Sequence, residues 1–317
     1  MSASVIVENI LQALYTGVVV GCIYGLMCVG LSLIFGVMRV INFAQGEFLM
    51  LGMYAALFVF AQVGVGALFG PGFGAVVASL LGGVIVFAIG AVLYDLLLRP
   101  VTGLSVAGTE GEGHYPQLTL TLGLSLVLAN GGLILFGSSP QTIRTPLSAT
   151  AWELPVTSDI SLFLNKARTV ACIVTLVVAF AVAMFINRSR HGKILRAAAD
   201  NAEAATYMGI RVTRAHRLAF ALGAGISAIA GGLVATYYPF QPYVGLEFII
   251  VMYAGVVLGG MGSVMGAFWG GLTIGLVQQL STLVLPQQLQ NATIFVVFLL
   301  IILLRPQGLF GRNVERV

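Results

Sequence analysis

Long apolar stretches, separated by short polar or charged segments, dominate the chain. Membrane-spanning helices need roughly 20 apolar residues each. The pattern predicts about nine helices, within a range of eight to ten, near residues 10–38, 46–62, 74–98, 117–137, 167–187, 218–237, 247–260, 264–284 and 290–304. The stretches at 46–62 and 247–260 are short for a full crossing and border glycine or polar clusters, which is typical of broken helices in transporters.

Composition supports a membrane protein and changes the expected fold class. Of the 317 residues, 59% are hydrophobic and only 8% are charged, whereas soluble domains carry roughly 25% charged residues. Barrel strands would alternate polar and apolar positions, and the run 173–186 does not. We therefore expect an all-α, polytopic transmembrane helical bundle, with residues 1–317 forming one domain.

Basic residues indicate the side of each loop, because Lys and Arg are retained in cytoplasmic loops. Residues 188–217 hold seven of the chain's 15 Lys and Arg residues, so this loop is predicted to be cytoplasmic. Counting spans from it places the C-terminus inside, and both the 138–166 segment and the N-terminus outside. The acidic stretch 110–114 then lies inside without basic support, which is the weakest point of this topology.

Glycines recur at a spacing of four residues, which predicts faces where helices pack closely in lipid. We expect this packing within the chain rather than against another chain. The glycines that define these faces are Gly17, Gly21, Gly25, Gly266 and Gly270.

The 188–217 loop carries a second signal besides charge. Residues 194–208 are rich in Ala and Leu, which favour helix, and Gly209 stands where a C-cap glycine would. A short exposed helix is predicted. Glu203, Ala204 and Ala205, followed by Gly209, resemble the EAA loop with which permease subunits of ABC importers dock onto their ATPase. Small side chains there would let the helix seat in a groove of the partner.

Polar residues interrupt the first apolar region at Asn42, Gln45 and Glu47. An ionisable group at membrane depth costs on the order of 2.5 kcal/mol unless it faces protein or water, so such residues mark functional paths. On a helix beginning near Gly46, Glu47 and Tyr54 share a face. The alternative is that Glu47 lies at the membrane interface, and Glu247, which follows an aromatic turn, poses the same question. Faint similarity around Glu47 and Glu247, out of step by one residue, hints at two related halves.

Three stretches, at 30–52, 197–209 and 257–267, resemble the branched-chain amino acid ABC transporter permease family. Position 45 is Gln where that family suggests His. The resemblance implies a second related permease subunit, two cytoplasmic ABC ATPases, an external substrate-binding protein and a bacterial inner-membrane location. The ATPase-coupling residues that the resemblance implies are Arg196, Ala197, Asn201, Glu203, Ala204, Ala205 and Gly209. From the polar residues themselves we expect a translocation path along Asn42, Gln45, Glu47, Tyr54 and Glu247.

Other functions find little support in the sequence. We expect no enzyme activity and no cofactor in this chain, because a phosphate-binding P-loop is absent and ATP would be used by partner subunits. Glu110, Glu112 and His114 suit a polar glycine-rich loop better than a metal site, and the net charge of +4 reflects topology rather than nucleic-acid binding. Two rivals remain open: cargo such as urea, amides or small aromatic acids, and an ion-coupled secondary transporter.

Overall fold

The computed structural model describes residues 3–102, 115–157, 160–286, 289–305 and 308–309. In chain order its helices are α1 (Ala3–Met38), α2 (Gln45–Ala61), α3 (Val65–Leu68), α4 (Pro71–Leu93), α5 (Arg99–Thr102), α6 (Tyr115–Phe136), α7 (Lys166–Arg188), α8 (Arg190–Asp200), α9 (Ala202–Tyr207), α10 (Val212–Val234), α11 (Val244–Gly259), α12 (Val264–Ser281) and α13 (Gln290–Leu304). A π-helical segment, Tyr94–Leu98, joins α4 to α5.

Each predicted apolar stretch corresponds to one helix, so the prediction of a helical membrane protein is confirmed. Among the described residues, five helices are long and apolar enough to cross a bilayer: Ser4–Met38, Pro71–Val101, Pro116–Phe136, Lys166–Arg188 and Val212–Val234. Helices α2, α11 and α13 are apolar but shorter. The count of nine spans therefore stays a prediction.

A β-hairpin in the 138–166 segment departs from the all-α expectation. Strands β1 (Ala151–Thr157) and β2 (Ile160–Asn165) pair antiparallel, and the alternation of Trp152, Glu153 and Leu154 fits a strand better than a loop. The side chain of Gln12 on α1 donates to the Phe163 carbonyl at 2.9 Å and accepts from the Phe163 amide at 3.1 Å. The start of α1 and the hairpin therefore share one side of the molecule, named here the hairpin side.

Helices α1 and α10 cross antiparallel at the centre of the bundle. A Cβ on Gly30 would lie 2.6 Å from Ser227 Oγ and 2.7 Å from the Gly223 carbonyl. A Cβ on Gly223 would lie 2.6 Å from the Gly30 carbonyl and 2.5 Å from the Ile34 side chain. Residues later in α1 therefore contact residues earlier in α10, as in an antiparallel pair. Glycine permits this approach because any side chain would meet the opposite backbone.

After α1 and again after α10, the chain turns back into the bundle before its next helix. The Gln45 side chain, at the start of α2, reaches Gly223, the central residue of α10. Helix α2 therefore begins near the mid-depth of a helix that is long enough to cross the membrane. Helix α11 begins at the same level, because Gly46 and Gly245 are in reciprocal backbone contact. The two short helices predicted to be broken thus meet at their N-termini.

Each outer helix, α4 or α12, packs on the central helix from the other part of the chain. Helix α12 packs on α1, where the faces of Gly17, Gly21 and Gly25 meet Leu276, Leu272 and Phe268. Helix α4 packs on α10 in the same antiparallel manner, through Gly83 and Gly90. Gly266 and Gly270 contact the backbone of α11 at Gly259 and Gly255. We therefore describe α1, α2 and α4 as the first half, and α10, α11 and α12 as the second half, of an inverted repeat.

Candidate functional site

The segment between α1 and α2 starts with a backbone reversal at Arg39. Arg39 has a φ of +54°, the left-handed conformation that ends helices, and its amide donates to the Phe35 carbonyl at 2.8 Å. Its guanidinium donates to the Ala199 carbonyl of α8 at 3.4 Å. The segment that carries the polar residues is thereby tied to the 188–217 loop.

Asn42 and Gln45 form a closed hydrogen-bond network beneath α10. The Asn42 amide donates to Gln45 Oε1 at 3.1 Å, and Asn42 Oδ1 accepts from the Ala44 amide. Gln45 Nε2 donates to the Gly223 carbonyl and to Ser227 Oγ. Both side chains are almost fully buried, and buried polar groups need such partners. These two residues therefore fix the shape of the segment.

Glu47 lies in the first turn of α2 and is only 1% exposed. Its Oε1 accepts from Ser125 Oγ of α6 at 3.3 Å. Its Oε2 is buried and has no hydrogen-bond partner, and among the described residues no basic side chain pairs with it. The carboxylate lies inside the helix bundle and not on its surface, and its depth in the membrane stays a prediction. It differs from Asn42 and Gln45 in keeping an unused acceptor.

The predicted face of α2 lies against α6. Glu47 meets Ser125, the Met50 side chain lies 3.1 Å from where a Cβ of Gly132 would stand, and Tyr54 stacks on Phe136 with ring centroids 4.0 Å apart. The prediction that Glu47 and Tyr54 share one face is confirmed. This face of α2 is packed against α6 and is not open.

Two aromatic pairs each join a phenylalanine that precedes one short helix to a tyrosine of the other short helix. Phe43, just before α2, packs on Tyr253 of α11 at a centroid distance of 5.8 Å. Phe240, just before α11, packs on Tyr54 of α2 at 4.9 Å. Both tyrosine hydroxyls are buried without a partner. We name these the inner pair (Phe43–Tyr253) and the outer pair (Tyr54–Phe240).

An apolar hollow of about 230 Å³ lies beside the inner pair. Its walls come from α1, the segment before α2, and α11. The residues that line it are Leu31, Phe35, Ile41, Phe43, Tyr253, Val256, Val257 and Met261. Such a lining suits an aliphatic group and offers no polar side chain apart from the Tyr253 hydroxyl.

Glu247 does not join the polar residues of the first half. It is exposed, and its Oε2 accepts from the Tyr238 hydroxyl at 3.0 Å. Burial, followed by this hydrogen bond, raises the pKa of Tyr238 to about 12. The expectation that Glu247 lies along the same path is therefore not matched by its position. Tyr253, six residues further on, occupies the equivalent of Tyr54.

The 188–217 loop forms two short helices instead of the single predicted one, α8 and α9, with a break at Asn201. Asn201 Oδ1 caps α9 by accepting from the Ala204 amide at 2.9 Å, and Arg196 donates to the Asn187 carbonyl at the end of α7. Gly209 has a φ of +81°, and the amides of Gly209 and Ile210 donate to Thr206 and Ala205. The predicted C-cap glycine is confirmed as a Schellman motif.

Exposure divides the proposed coupling residues. Ala204 and Glu203 are exposed and Ala197 is half-buried, whereas Ala205 is only 5% exposed because it packs against the chain itself. Beyond Ala204, Tyr207 and Met208 are 80% and 84% exposed, a large apolar area for a surface turn. The Tyr207 hydroxyl donates to Glu203 at 2.9 Å, and this bond raises the pKa of Tyr207.

Sequence reasoning missed several partners of the site. Ser125 and Ser227 gave no signal, because single small residues are ordinary in apolar helices. Asn130, a polar residue in the middle of α6, is exposed and donates to the Leu126 carbonyl of its own helix. Residues 110–114 lie outside the described residues, and within the described ones no group of three potential ligands suits a metal.

The sequence is similar to those of known transport permeases. A family model described as "Branched-chain amino acid transport system / permease component" matches residues 13–304. The chain is 29% identical over 310 residues, 97% of each chain, to the high-affinity branched-chain amino acid transport system permease protein LivH of Escherichia coli. It is 29% identical over 316 residues, 98% of this chain and 99% of the relative, to the corresponding permease BraD of Pseudomonas aeruginosa.

A more distant relative has a different described cargo. The autoinducer 2 import system permease protein LsrD of Salmonella paratyphi B is 27% identical over 269 residues, 80% of this chain and 79% of the relative. The family model nevertheless covers almost the whole bundle, including both short helices and the polar segment between α1 and α2. The chain therefore belongs to the permease components of branched-chain amino acid transport systems.

Proposed function

We propose that this permease carries branched-chain or related apolar amino acids into a bacterial cell by alternating access, driven by separate ATPase subunits. The observation that supports this most is the mid-depth meeting of two half-helices beside buried polar residues. Broken helices of this kind bind substrates in transporters because they place helix ends at the centre of the membrane. The relatives named for branched-chain amino acid transport support the class of cargo.

The proposed assembly has one such permease and a second related one, two cytoplasmic ABC ATPases and an external substrate-binding protein. Residues 1–317 act as one transmembrane domain in the bacterial cytoplasmic membrane. The C-terminus and the 188–217 loop face the cytoplasm, and the N-terminus and the hairpin side face outward. A cysteine at position 190 should therefore be labelled only from the cytoplasm, and a cysteine at position 150 only from outside.

Within the permease, we assign the path to Glu47 and Tyr54, with Asn42 and Gln45 holding the segment that carries them. Glu47 and Tyr54 each keep an unpaired buried atom, whereas Asn42 and Gln45 are fully engaged. Motion of the ATPases reaches this segment through α8, because Arg39 joins its start to Ala199.

Uptake by the reconstituted importer tests the proposal directly. We expect leucine to accumulate in proteoliposomes only when ATP, the binding protein and the ATPases are present. Ionophores that abolish ion gradients should leave this uptake intact. Uptake that needs an ion gradient and no ATPase would replace the importer by the ion-coupled alternative, since Glu47 would then serve as the ion site.

Two adjacent alanines provide a matched test of coupling. Ala204 is exposed and Ala205 is buried within the chain, so a tryptophan at each has a different consequence. Ala204→Trp should leave the permease at normal levels but release the ATPases during co-purification. Ala205→Trp overpacks the chain itself, at about 1 to 3 kcal/mol, and should lower the amount of folded permease. An Ala204→Trp complex with unchanged ATPase content and turnover would argue that the loop is a solvated connection.

A further inference from the structure

Glu47 occupies the point where the two half-helices meet. Its carboxyl carbon lies 2.9 Å from where a Cβ on Gly245 would stand, at the first turn of α11, while Glu47 itself is in the first turn of α2. The carboxylate is thus near the N-terminal ends of both helices. Each end carries a partial positive charge that stabilises a nearby anion. The two helix ends therefore offset part of the cost of burying a charged carboxylate at this point.

The carboxylate is nevertheless incompletely paired. Ser125 supplies one hydrogen bond to Oε1, and Oε2 is buried with none. An unsatisfied buried acceptor costs about 1 to 3 kcal/mol, and more when it is charged. No basic residue among the described ones compensates for it. A donor that arrives with the cargo would complete the site, and a cationic donor would do so most strongly.

The surroundings of Glu47 restrict what that cargo can be. The outer pair and the inner pair each join the two half-helices, and each has an unpaired tyrosine hydroxyl. Met50 and the apolar hollow beside Phe43 supply aliphatic surfaces. An anionic solute would be repelled by the carboxylate, and a purely apolar solute would leave Oε2 unpaired.

We propose that Glu47 Oε2 binds the primary ammonium group of the amino acid as it passes between the outer and inner pairs. This inference rests on the proposed function and assigns a chemical role to one residue of its path. The two aromatic pairs close the site from either side, and Glu47 serves as the counter-charge at its centre.

Charged thiol reagents test the site without depending on the binding protein's choice of substrate. The full importer is prepared without Cys22, Cys28 and Cys172, which are buried free thiols, and with Ser125→Cys as a reporter. During ATP turnover, 2-aminoethyl methanethiosulfonate should modify the reporter at least about tenfold faster than the 2-sulfonatoethyl reagent. The ratio is normalised to that at Thr150→Cys, an exposed position outside the bundle.

Adding Glu47→Gln should abolish this preference, and Glu47→Asp should retain most of it. Leucine should slow modification when Glu47 is present but not in Glu47→Gln. If Ser125→Cys disturbs folding, Ala129→Cys, one turn along the same buried face of α6, is the second reporter. The inference is overturned if the ratio of the two modification rates is the same in the parent and in Glu47→Gln. It is also overturned if neither reporter is modified in any nucleotide state.

A separate measurement distinguishes failure of this inference from failure of the proposed function. ATP-dependent leucine uptake is recorded with the same parent preparation. Normal uptake with no charge preference rejects the ammonium site and keeps the importer. Absence of ATP-dependent uptake rejects the importer itself, whatever the reagents show.

Discussion

The two re-entrant segments, 39–47 and 235–247, share a backbone plan but not a chemistry. Both follow a central helix, turn inward, place a phenylalanine on a tyrosine of the other half and start a short helix at a reciprocal glycine contact. The first segment buries Asn42, Gln45 and Glu47. The second exposes its only carboxylate, Glu247. The backbone arrangement is thus the same in both segments, but only the first segment carries buried polar side chains.

The two glutamates do not occupy equivalent positions. Gly46 matches Gly245 and Tyr54 matches Tyr253, so both pairs are separated by the same interval. The residue equivalent to Glu47 is then Leu246, and Glu247 is equivalent to Phe48. Glu47 and Phe48 are both buried, whereas Leu246 is 52% exposed and Glu247 is exposed. The start of α2 is therefore enclosed by the bundle and the start of α11 is not, so only the first half buries a carboxylate.

The largest effect is expected where the halves touch. Gly46→Ala and Gly245→Ala each place a methyl group into the opposite backbone, 2.7 Å from the Gly46 carbonyl carbon in the second case. Backbone cannot yield as a side chain does, so we expect a loss of about 3 kcal/mol or more in each half. Thermal unfolding in detergent measures it. Gly123→Ala, where a Cβ meets open space, is the control and should be neutral or stabilising.

The second effect should fall on one half only. Glu47→Gln should reduce ATP-dependent leucine uptake at least about tenfold, which corresponds to about 1.4 kcal/mol, with normal membrane insertion. Glu247→Gln removes an exposed charge beside Tyr238 and should change uptake less than about twofold. Comparable losses in both variants would show that the two halves contribute equally, and would contradict the asymmetry.

The third effect should be equal in both halves. Tyr54→Phe and Tyr253→Phe each remove a buried hydroxyl that has no partner, so the substrate-free protein should gain about 1 kcal/mol in each case. Tyr24→Phe is the matched control, because the Tyr24 hydroxyl donates to Gln278 at 2.9 Å and its loss should destabilise. Stability changes of opposite sign in Tyr54→Phe and Tyr253→Phe would show that the inner and outer pairs are not equivalent.

Much of this helix arrangement can be predicted from the sequence, because apolar stretches mark the helices and regularly spaced glycines mark the faces that pack. Apolar length located the helices, the short stretches 46–62 and 247–260 became α2 and α11, and the glycines of α1 face α12. The polar residues of 39–47 were also recognised, since charged or amide side chains are rare at membrane depth.

Facts that depend on which residues face one another could not be predicted. Burial of Ala205 beside an exposed Ala204 is decided by how α9 packs, and both residues are alike in sequence. The Asn130 amide is satisfied by the carbonyl four residues earlier, an option that every helix offers. The distinction between Gln45, which is fully bonded, and Glu47, which is not, depends on Gly223 and Ser125 from distant parts of the chain.

The smallest effect concerns the helices exchanged between the halves. At one end of α10, Arg217 Nε lies 3.2 Å from Asp95 Oδ2 at the continuation of α4, with side chains 53% and 35% exposed. The equivalent pairing of α1 with α12 has the Tyr24–Gln278 hydrogen bond and no ion pair among the described residues. Exposed pairs contribute about 0.2 to 1 kcal/mol and are screened by salt.

Asp95→Asn should therefore lower the unfolding temperature slightly at low ionic strength and not at high ionic strength. The control is Glu153→Gln, which removes an exposed carboxylate on β1 and should show no salt-dependent difference. A large, salt-independent loss for Asp95→Asn would mean that this contact helps to hold α4 on α10, making the two exchanged pairings more different than their shared antiparallel packing indicates.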